Sequence, residues 1–263
     1  MSENSAQTAS SQTNSDKNLL IVAILYFFAI LNEFIALYSP FNSAIASALV
    51  IFLALNIAAW NYKTPLYRVL PALALVPFMR MLSLVLPLTG SNNQLWYLLV
   101  ALPVLTSLVL LLRSRHISLA SIGLRRSSWM TQLPIALTGL PLGFIGFLIL
   151  RPPQLFPSDG LLLWAANLLI LLVFVSFTEE VLFRGLLLRV MSEINAPVAS
   201  ISLAILYASL HIGSKSPVYA LYMGLVGWLF SRFASQTGSI WGIVVANFLL
   251  VTGMGLVWPL LLF

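Results

Sequence analysis

Two adjacent acids, Glu179 and Glu180, end a stretch from Gly160 to Thr178 that carries no charge at all. Arg184 follows Glu180 by four residues, so on a helix those two side chains share a face and can pair. Glu179 points about 100° away from Glu180 and is left to face something else. Two carboxylates side by side at partial membrane depth repel, and Arg184 would keep one of them ionised. One anchored carboxylate and one able to take or give a proton are what general acid–base chemistry needs. The bland alternative is a helix that has emerged into the cytosol with both acids solvated. His211 closes the apolar run 202–210, on the segment directly after the acid pair, with Tyr207 one turn earlier on the same face. A histidine in such a place serves equally as a packed, hydrogen-bonded residue or as a catalyst.

Two further charges lie inside apolar segments, Glu33 and Arg80. An ionisable residue at membrane depth costs several kcal/mol, which makes it a functional candidate by default. Both lie at similar depth in helices that enter from the same side, so a buried ion pair fixing helix packing is expected. Proton or substrate transport through the same pair is the alternative.

The elements that must position these residues follow from composition. The chain has 263 residues, of which 60% are apolar and only 8% are Asp, Glu, Lys or Arg. A soluble domain carries about 25% charged residues, so this chain cannot clothe a soluble globule. It reads as an all-α, polytopic transmembrane helix bundle of about eight or nine spans. A helix needs about 20 apolar residues to cross the hydrocarbon, and nine such segments run at 18–38, 43–61, 66–88, 94–112, 131–150, 160–188, 197–213, 217–235 and 240–262. Ser39-Pro40, Lys63-Thr64-Pro65, residues 89–93, Arg151-Pro152-Pro153 and Asn195-Ala196-Pro197 supply the turns. Residues 1–17, rich in Ser, Asn, Gln and Thr, read as a disordered tail, 18–112 as N-terminal helices, and 118–263 as the core that bears the site. No repeat is visible.

The net charge of +6 is spread over short loops, which is what membrane orientation requires rather than nucleic-acid binding. With the N-terminus inside, Lys17, Lys63, Arg68, Arg113, Arg115, Arg125, Arg126, Arg189 and Arg232 fall on the inner side. Arg151 and Lys215 then fall on the outer side. The basic loop 113–126, interleaved with Ile117, Leu119, Ile122 and Leu124, is expected to anchor the chain and touch inner-leaflet lipid. Cysteine is absent, which removes thiolate catalysis, disulfides and Cys-ligated metal. Catalytic zinc wants three protein ligands, and one histidine with two adjacent glutamates does not supply them. No metal and no other cofactor are expected.

At the level of motifs, Thr178-Glu179-Glu180-Val181-Leu182-Phe183-Arg184-Gly185 resembles the Glu-Glu-x-x-x-Arg motif of the CPBP family (CAAX proteases and bacteriocin-processing enzymes, also called Abi proteins). Tyr207-Ala208-Ser209-Leu210-His211 is similar to its second motif, Phe-x-x-x-His, with Tyr for Phe, and Thr237 to Gly242 resembles the lead-in to its third. The stretch Ser118 to Arg126 looks like the segment that often precedes the family's core, so the resemblance covers about 118–258. It implies an intramembrane glutamic-type endopeptidase in which a Glu of the first motif and the His of the second activate a water. Transferred here, Glu179 is the water-activating base, Glu180 the partner of Arg184, and His211 the second activating group, with Tyr207 orienting. The family's third motif, His-x-x-x-Asn or Asp, stabilises the oxyanion. Its positions are occupied here by Asn247, which can still donate from its amide, and Val251, which cannot. The expected function is therefore hydrolysis of membrane-associated proteins or peptides in a lipid environment, in the plasma membrane of a bacterium. The alternative is a catalytically impaired relative acting as a membrane scaffold or immunity factor. One geometric tension remains: counted along straight helices, His211 and Glu180 differ in depth by about 7 Å.

Overall fold

A computed structural model describes residues 2–86, 93–154, 160–214 and 216–262. Among these every regular element is helical. Without water in the hydrocarbon, each backbone N–H and C=O must be satisfied inside its own segment, which selects helices. The chain runs α1 (Ser2–Tyr38), α2 (Pro40–Trp60), α3 (Leu66–Val85), α4 (Asn93–Ser114), α5 (Trp129–Leu137), α6 (Gly139–Leu150), α7 (Leu161–Ile170), α8 (Thr178–Glu180), α9 (Leu188–Leu210), α10 (Pro217–Thr237), α11 (Trp241–Thr252) and α12 (Trp258–Leu262). Three π-helical stretches, Leu171–Phe177, Val181–Leu187 and Gly253–Val257, join α7 to α8, α8 to α9 and α11 to α12. α1 is helical from Ser2, so it includes the described part of the expected tail, 2–17, and its membrane-length part is Asp16–Tyr38.

Seven helical stretches among the described residues are long and apolar enough to cross a membrane, against nine expected. The difference arises in two places. The segments expected at 160–188 and 197–213 form one helical run, 162–214, broken only at Asn195, whose φ of −151° and ψ of 91° are not helical. Pro197, two residues on, cannot donate to the preceding turn, which keeps the break there. α10 has the length, but Tyr219, Tyr222, Ser231 and Arg232 reduce its apolarity. It packs against α9 and buries Tyr219, Phe230 and Ser231, so protein rather than lipid surrounds these groups. The turn expected at 89–93 falls mostly outside the described residues, as does Lys215.

The core is central on α3, where every residue from Val69 to Pro77 is buried. Pro71 and Pro77 lie inside that helix, tolerated because neighbours enclose the backbone they disrupt. On the other side α11 packs against α5 and α6. A Cβ at Gly139 would collide with the carbonyl of Ala246, and one at Gly143 would lie 2.9 Å from the carbonyl of Leu250. Small residues at this seam let the two backbones touch, which is how helices gain van der Waals contact where lipid offers no hydrophobic drive.

Part of the basic loop, around Gly123 and Arg125, packs onto protein. It docks on the turn between α10 and α11: Arg125 Nη2 donates to the Thr237 carbonyl at 3.0 Å, and Ile240 N donates to the Gly123 carbonyl at 3.1 Å. Ile122 is buried and Ile117 and Leu124 pack partly against the core, leaving only Leu119 of the four turned outward. Periodicity cannot foresee this, because a short 3-10 turn (Leu119–Ile122) and the left-handed Gly123 redirect the side chains.

Candidate active site

Thr178, Glu179 and Glu180 sit between two π-helical stretches. Such wide turns are rare and cluster at functional sites. Thr178 Oγ1 donates to the carbonyl of Val173, five residues back, at 3.1 Å, which satisfies an acceptor that the widened turn exposes. The π-helical setting also fixes how the two acids diverge.

Glu180 is wholly buried, and its Oε1 lies 3.2 Å from Arg184 Nη1. The guanidinium is centred 4.3 Å from the Tyr207 ring and 5.7 Å from both Phe183 and Phe230. Gly227 of α10 lets this cage close, since a Cβ there would come within 3.1 Å of Arg184 Nη2 and Tyr207 Cδ1. The pair is single-stranded: Glu180 Oε2 and Arg184 Nε are buried without a hydrogen-bond partner. Glu180 is thus turned into protein, with none of its surface exposed.

Glu179 faces the other way. Its Oε2 accepts from the Tyr207 hydroxyl at 3.1 Å and from Asn247 Nδ2 at 3.2 Å. These donors come from α9 and α11, so three segments converge on one carboxylate oxygen. The hydroxyl is the atom a phenylalanine at 207 would lack. His211 caps α9, and its Nδ1 lies 2.8 Å from the Tyr207 carbonyl. A carbonyl can only accept, so Nδ1 carries the hydrogen, and in the neutral imidazole this leaves the lone pair on Nε2. The imidazole also meets the rings of Tyr207 and Tyr219 edge to face, at 4.9 and 5.7 Å.

Glu179 and His211 line one cavity of about 220 Å³. The depth offset of about 7 Å expected along straight helices does not separate them, because the break at Asn195 makes the helix that carries His211 independent of the one that carries Glu179. Phe174, Val175, Thr178 and Phe183 continue the wall, and another part comes from outside 118–263: Met79, Arg80 and Ser83 of α3, and Trp96, Tyr97 and Val100 of α4. Arg80 and His211 also border a second cavity, of about 340 Å³, with Leu37, Gly213 and Ser214. Arg80 Nε lies 2.9 Å from Glu33 Oε2. The contact is ionic rather than an aligned hydrogen bond, since neither atom has a hydrogen-bond partner.

The structure therefore brings Glu179, His211, Tyr207 and Asn247 together, with Arg80 in the same wall. It keeps Glu180 and Arg184 behind that wall, and Glu33 behind Arg80. Asn247 is buried and its amide is engaged by Glu179, so it is not directed at the cavity as an oxyanion donor. Val251 packs in an apolar cluster around Leu171 and Leu256. Sequence reading overlooked Trp96, Tyr97 and Tyr219, whose aromatic character near helix starts carries no signal distinct from ordinary packing. Among the described residues no three His, Asp or Glu side chains converge in a way that could hold a metal ion.

Residues 161–258 match the family model described as type II CAAX prenyl endopeptidase Rce1-like. No curated protein and no solved structure matches the chain. The matched span contains both acids, Arg184, Tyr207, His211, Asn247 and Val251, and stops short of α3 and α4.

Proposed function

From the match of residues 161–258 to the Rce1-like family model, together with the geometry of the site, we propose that the chain is a CPBP-type, multi-pass intramembrane endopeptidase that hydrolyses peptide bonds of membrane-associated proteins with water activated by Glu179 and His211. The observation that supports this most directly is the meeting of Glu179 and His211 on one cavity while Glu180 is occupied by Arg184.

In this reading the two donors on Oε2 hold the Glu179 carboxylate still and leave Oε1 to accept a proton. The Nε2 lone pair of His211 accepts a hydrogen bond from the same water and aligns it. As the water oxygen bonds to the scissile carbonyl carbon, its proton passes to Glu179 and the carbonyl electron pair moves onto oxygen. Collapse of the tetrahedral species breaks the C–N bond, and the proton on Glu179 passes to the leaving nitrogen. The cation in the cavity wall is Arg80, which offsets the developing oxyanion charge in a low dielectric. Glu33 positions that guanidinium from behind, and Asn247 positions the base. The N-terminus lies in the cytoplasm, on the side where the basic residues gather.

A second reading, a catalytically impaired relative that binds membrane proteins as a scaffold, draws on a different observation. Neither third-motif position presents a donor to the cavity, Asn247 being engaged by Glu179 and Val251 being apolar. Comparing membrane and secreted peptides from cells that lack the protein separates the two. The cells are complemented with wild type, Glu179→Gln or His211→Ala at matched membrane abundance. Cleavage products that appear with wild type and vanish in both variants support the protease. Identical peptide profiles in all three transfer the weight to the scaffold.

A further inference from the structure

Away from the candidate active site, two cavities meet at the end of α4, and all their lining residues except Glu193 lie outside the family-matched span. One, of about 580 Å³, is a cleft between the α2–α3 turn and the α4 terminus, lined by Lys63, Arg68, Arg115 and His116 with Tyr67, and by a single acid, Glu193. The other, of about 520 Å³, is an apolar groove between α2, α3 and α4, with Leu55, Leu75, Phe78 and Leu110 in its wall. Ser114 and Arg115 belong to both. From that junction the groove follows α4 back to Ser107, which is about 10 Å along the helix axis, toward the middle of the bundle.

The charge balance of the cleft is open. Glu193 is already shared between Arg68, at 3.6 Å, and Arg189, at 3.4 Å. Among the described residues neither Lys63 nor Arg115 has an acid within ion-pairing distance. Arg115 is held in place by lying 3.4 Å over the Tyr67 ring, and its Nε is buried without a hydrogen-bond partner. A fixed, partly desolvated guanidinium beside an uncompensated lysine favours an anion with several acceptor oxygens. The groove directly beneath it favours an apolar chain. One ligand meets both demands at once.

We propose that this composite cavity binds an anionic phospholipid, with its phosphate against Arg115 and Lys63 and one acyl chain lying between α2, α3 and α4. Free phosphate satisfies only the cleft. A zwitterionic lipid brings its own cation toward Lys63 and Arg115, so the same chains on a choline head bind less well. The lipid bridges the α2–α3 turn to the end of α4 and so braces the helices that carry Arg80 and Trp96.

The test uses the full chain purified in a mild detergent and titrated in native mass spectrometry. The probes are phosphatidylglycerol, phosphatidylcholine with identical acyl chains, and inorganic phosphate. Phosphatidylglycerol is expected to fill one saturable site about tenfold more tightly than phosphatidylcholine. Each basic residue near a membrane surface contributes about fivefold, so combining Lys63→Gln with Arg115→Gln should weaken phosphatidylglycerol about 25-fold. Leu110, which is 61% exposed, tolerates Leu110→Trp. That change fills the groove and should weaken the same lipid severalfold without touching the head group. If the double charge variant fails to fold, Leu110→Trp and Leu55→Trp carry the test alone. Equal binding of the two lipids overturns the proposal, as does unchanged phosphatidylglycerol binding in the groove-filling variants. Full competition by inorganic phosphate, with no effect of Leu110→Trp, also overturns it and leaves an anion site only.

Discussion

Glu180→Gln and Arg184→Met should destabilise the protein unequally, and the asymmetry can be worked out from their surroundings. The charges are 3.2 Å apart, and their gross attraction is about 5 kcal/mol at an effective dielectric of about 20. Desolvation of both groups offsets most of that gain, so what matters is what each partner retains when the other goes. Arg184 without the Glu180 charge keeps three aromatic faces at 4.3 to 5.7 Å and a carboxamide oxygen to donate to. Each desolvated cation–π contact contributes about 0.5–2 kcal/mol, so Glu180→Gln should cost only about 1–2 kcal/mol. Glu180 without Arg184 keeps nothing, because its Oε2 is already unpartnered. Arg184→Met should therefore cost about 3–5 kcal/mol, the range for stranding a buried charge, and the double variant should be less damaged than Arg184→Met alone. Denaturant unfolding in detergent micelles, followed by tryptophan fluorescence with monodispersity checked beforehand, reads the order directly. Peptide release by the same preparations supplies the functional half: Glu180→Gln should keep cleavage within about tenfold, whereas Glu179→Gln should abolish it. If Glu180→Gln proves as damaging to stability as Arg184→Met, the aromatic cage is not what holds the arginine. If Glu180→Gln abolishes cleavage in a folded protein, the division between a structural and a chemical glutamate is wrong.

Three other outcomes are expected. Tyr207→Phe removes one of two donors on Glu179 Oε2 while keeping the ring against Arg184 and His211; a hydrogen bond to a charged group contributes about 1.5–3 kcal/mol, so turnover should fall about tenfold or more and the melting temperature should drop by several degrees. Glu33→Lys and Arg80→Glu should each reduce the yield of folded protein, and the charge-swapped double variant should partly restore it; a double variant no better than either single one argues against the pairing. At the α6–α11 seam Gly139→Val should cost more than Gly143→Ala, because the Gly139 position has no room for any Cβ whereas the Gly143 position is tight at 2.9 Å; melting temperatures in detergent give the order.

Local chemistry was legible in the sequence where it depends on spacing along one helix. Glu180 and Arg184 meet because four residues bring side chains to the same face, whether or not the turn is slightly widened. The membrane class followed from an 8% charge content, which no soluble surface tolerates. Asn247 was visible as a residue of the third motif, but its destination was not. The resemblance pointed its amide at a substrate oxyanion, and the fold turns it onto Glu179. The hydroxyl of Tyr207 could be read as an addition to the second motif, yet nothing along the chain says that it reaches a carboxylate 28 residues earlier.

The sequence by itself therefore determined the class of the protein, the turns at Ser39-Pro40, Lys63-Thr64-Pro65 and Arg151-Pro152-Pro153, and the residues able to do acid–base chemistry. Tertiary structure alone decided which of those residues share a cavity, that α3 and α4 help to complete its wall with Arg80 and Trp96, and that Arg115 lies over the Tyr67 ring at the mouth of an apolar groove. The physical reason is the nature of membrane helices. A soluble helix announces its inward face by alternating polar and apolar stripes, whereas helices apolar all round, such as α6 and α11, can be rotated about their axes without changing that pattern. Their rotation is set by close contacts such as that of Gly139 with Ala246, and those contacts exist only once the bundle has assembled.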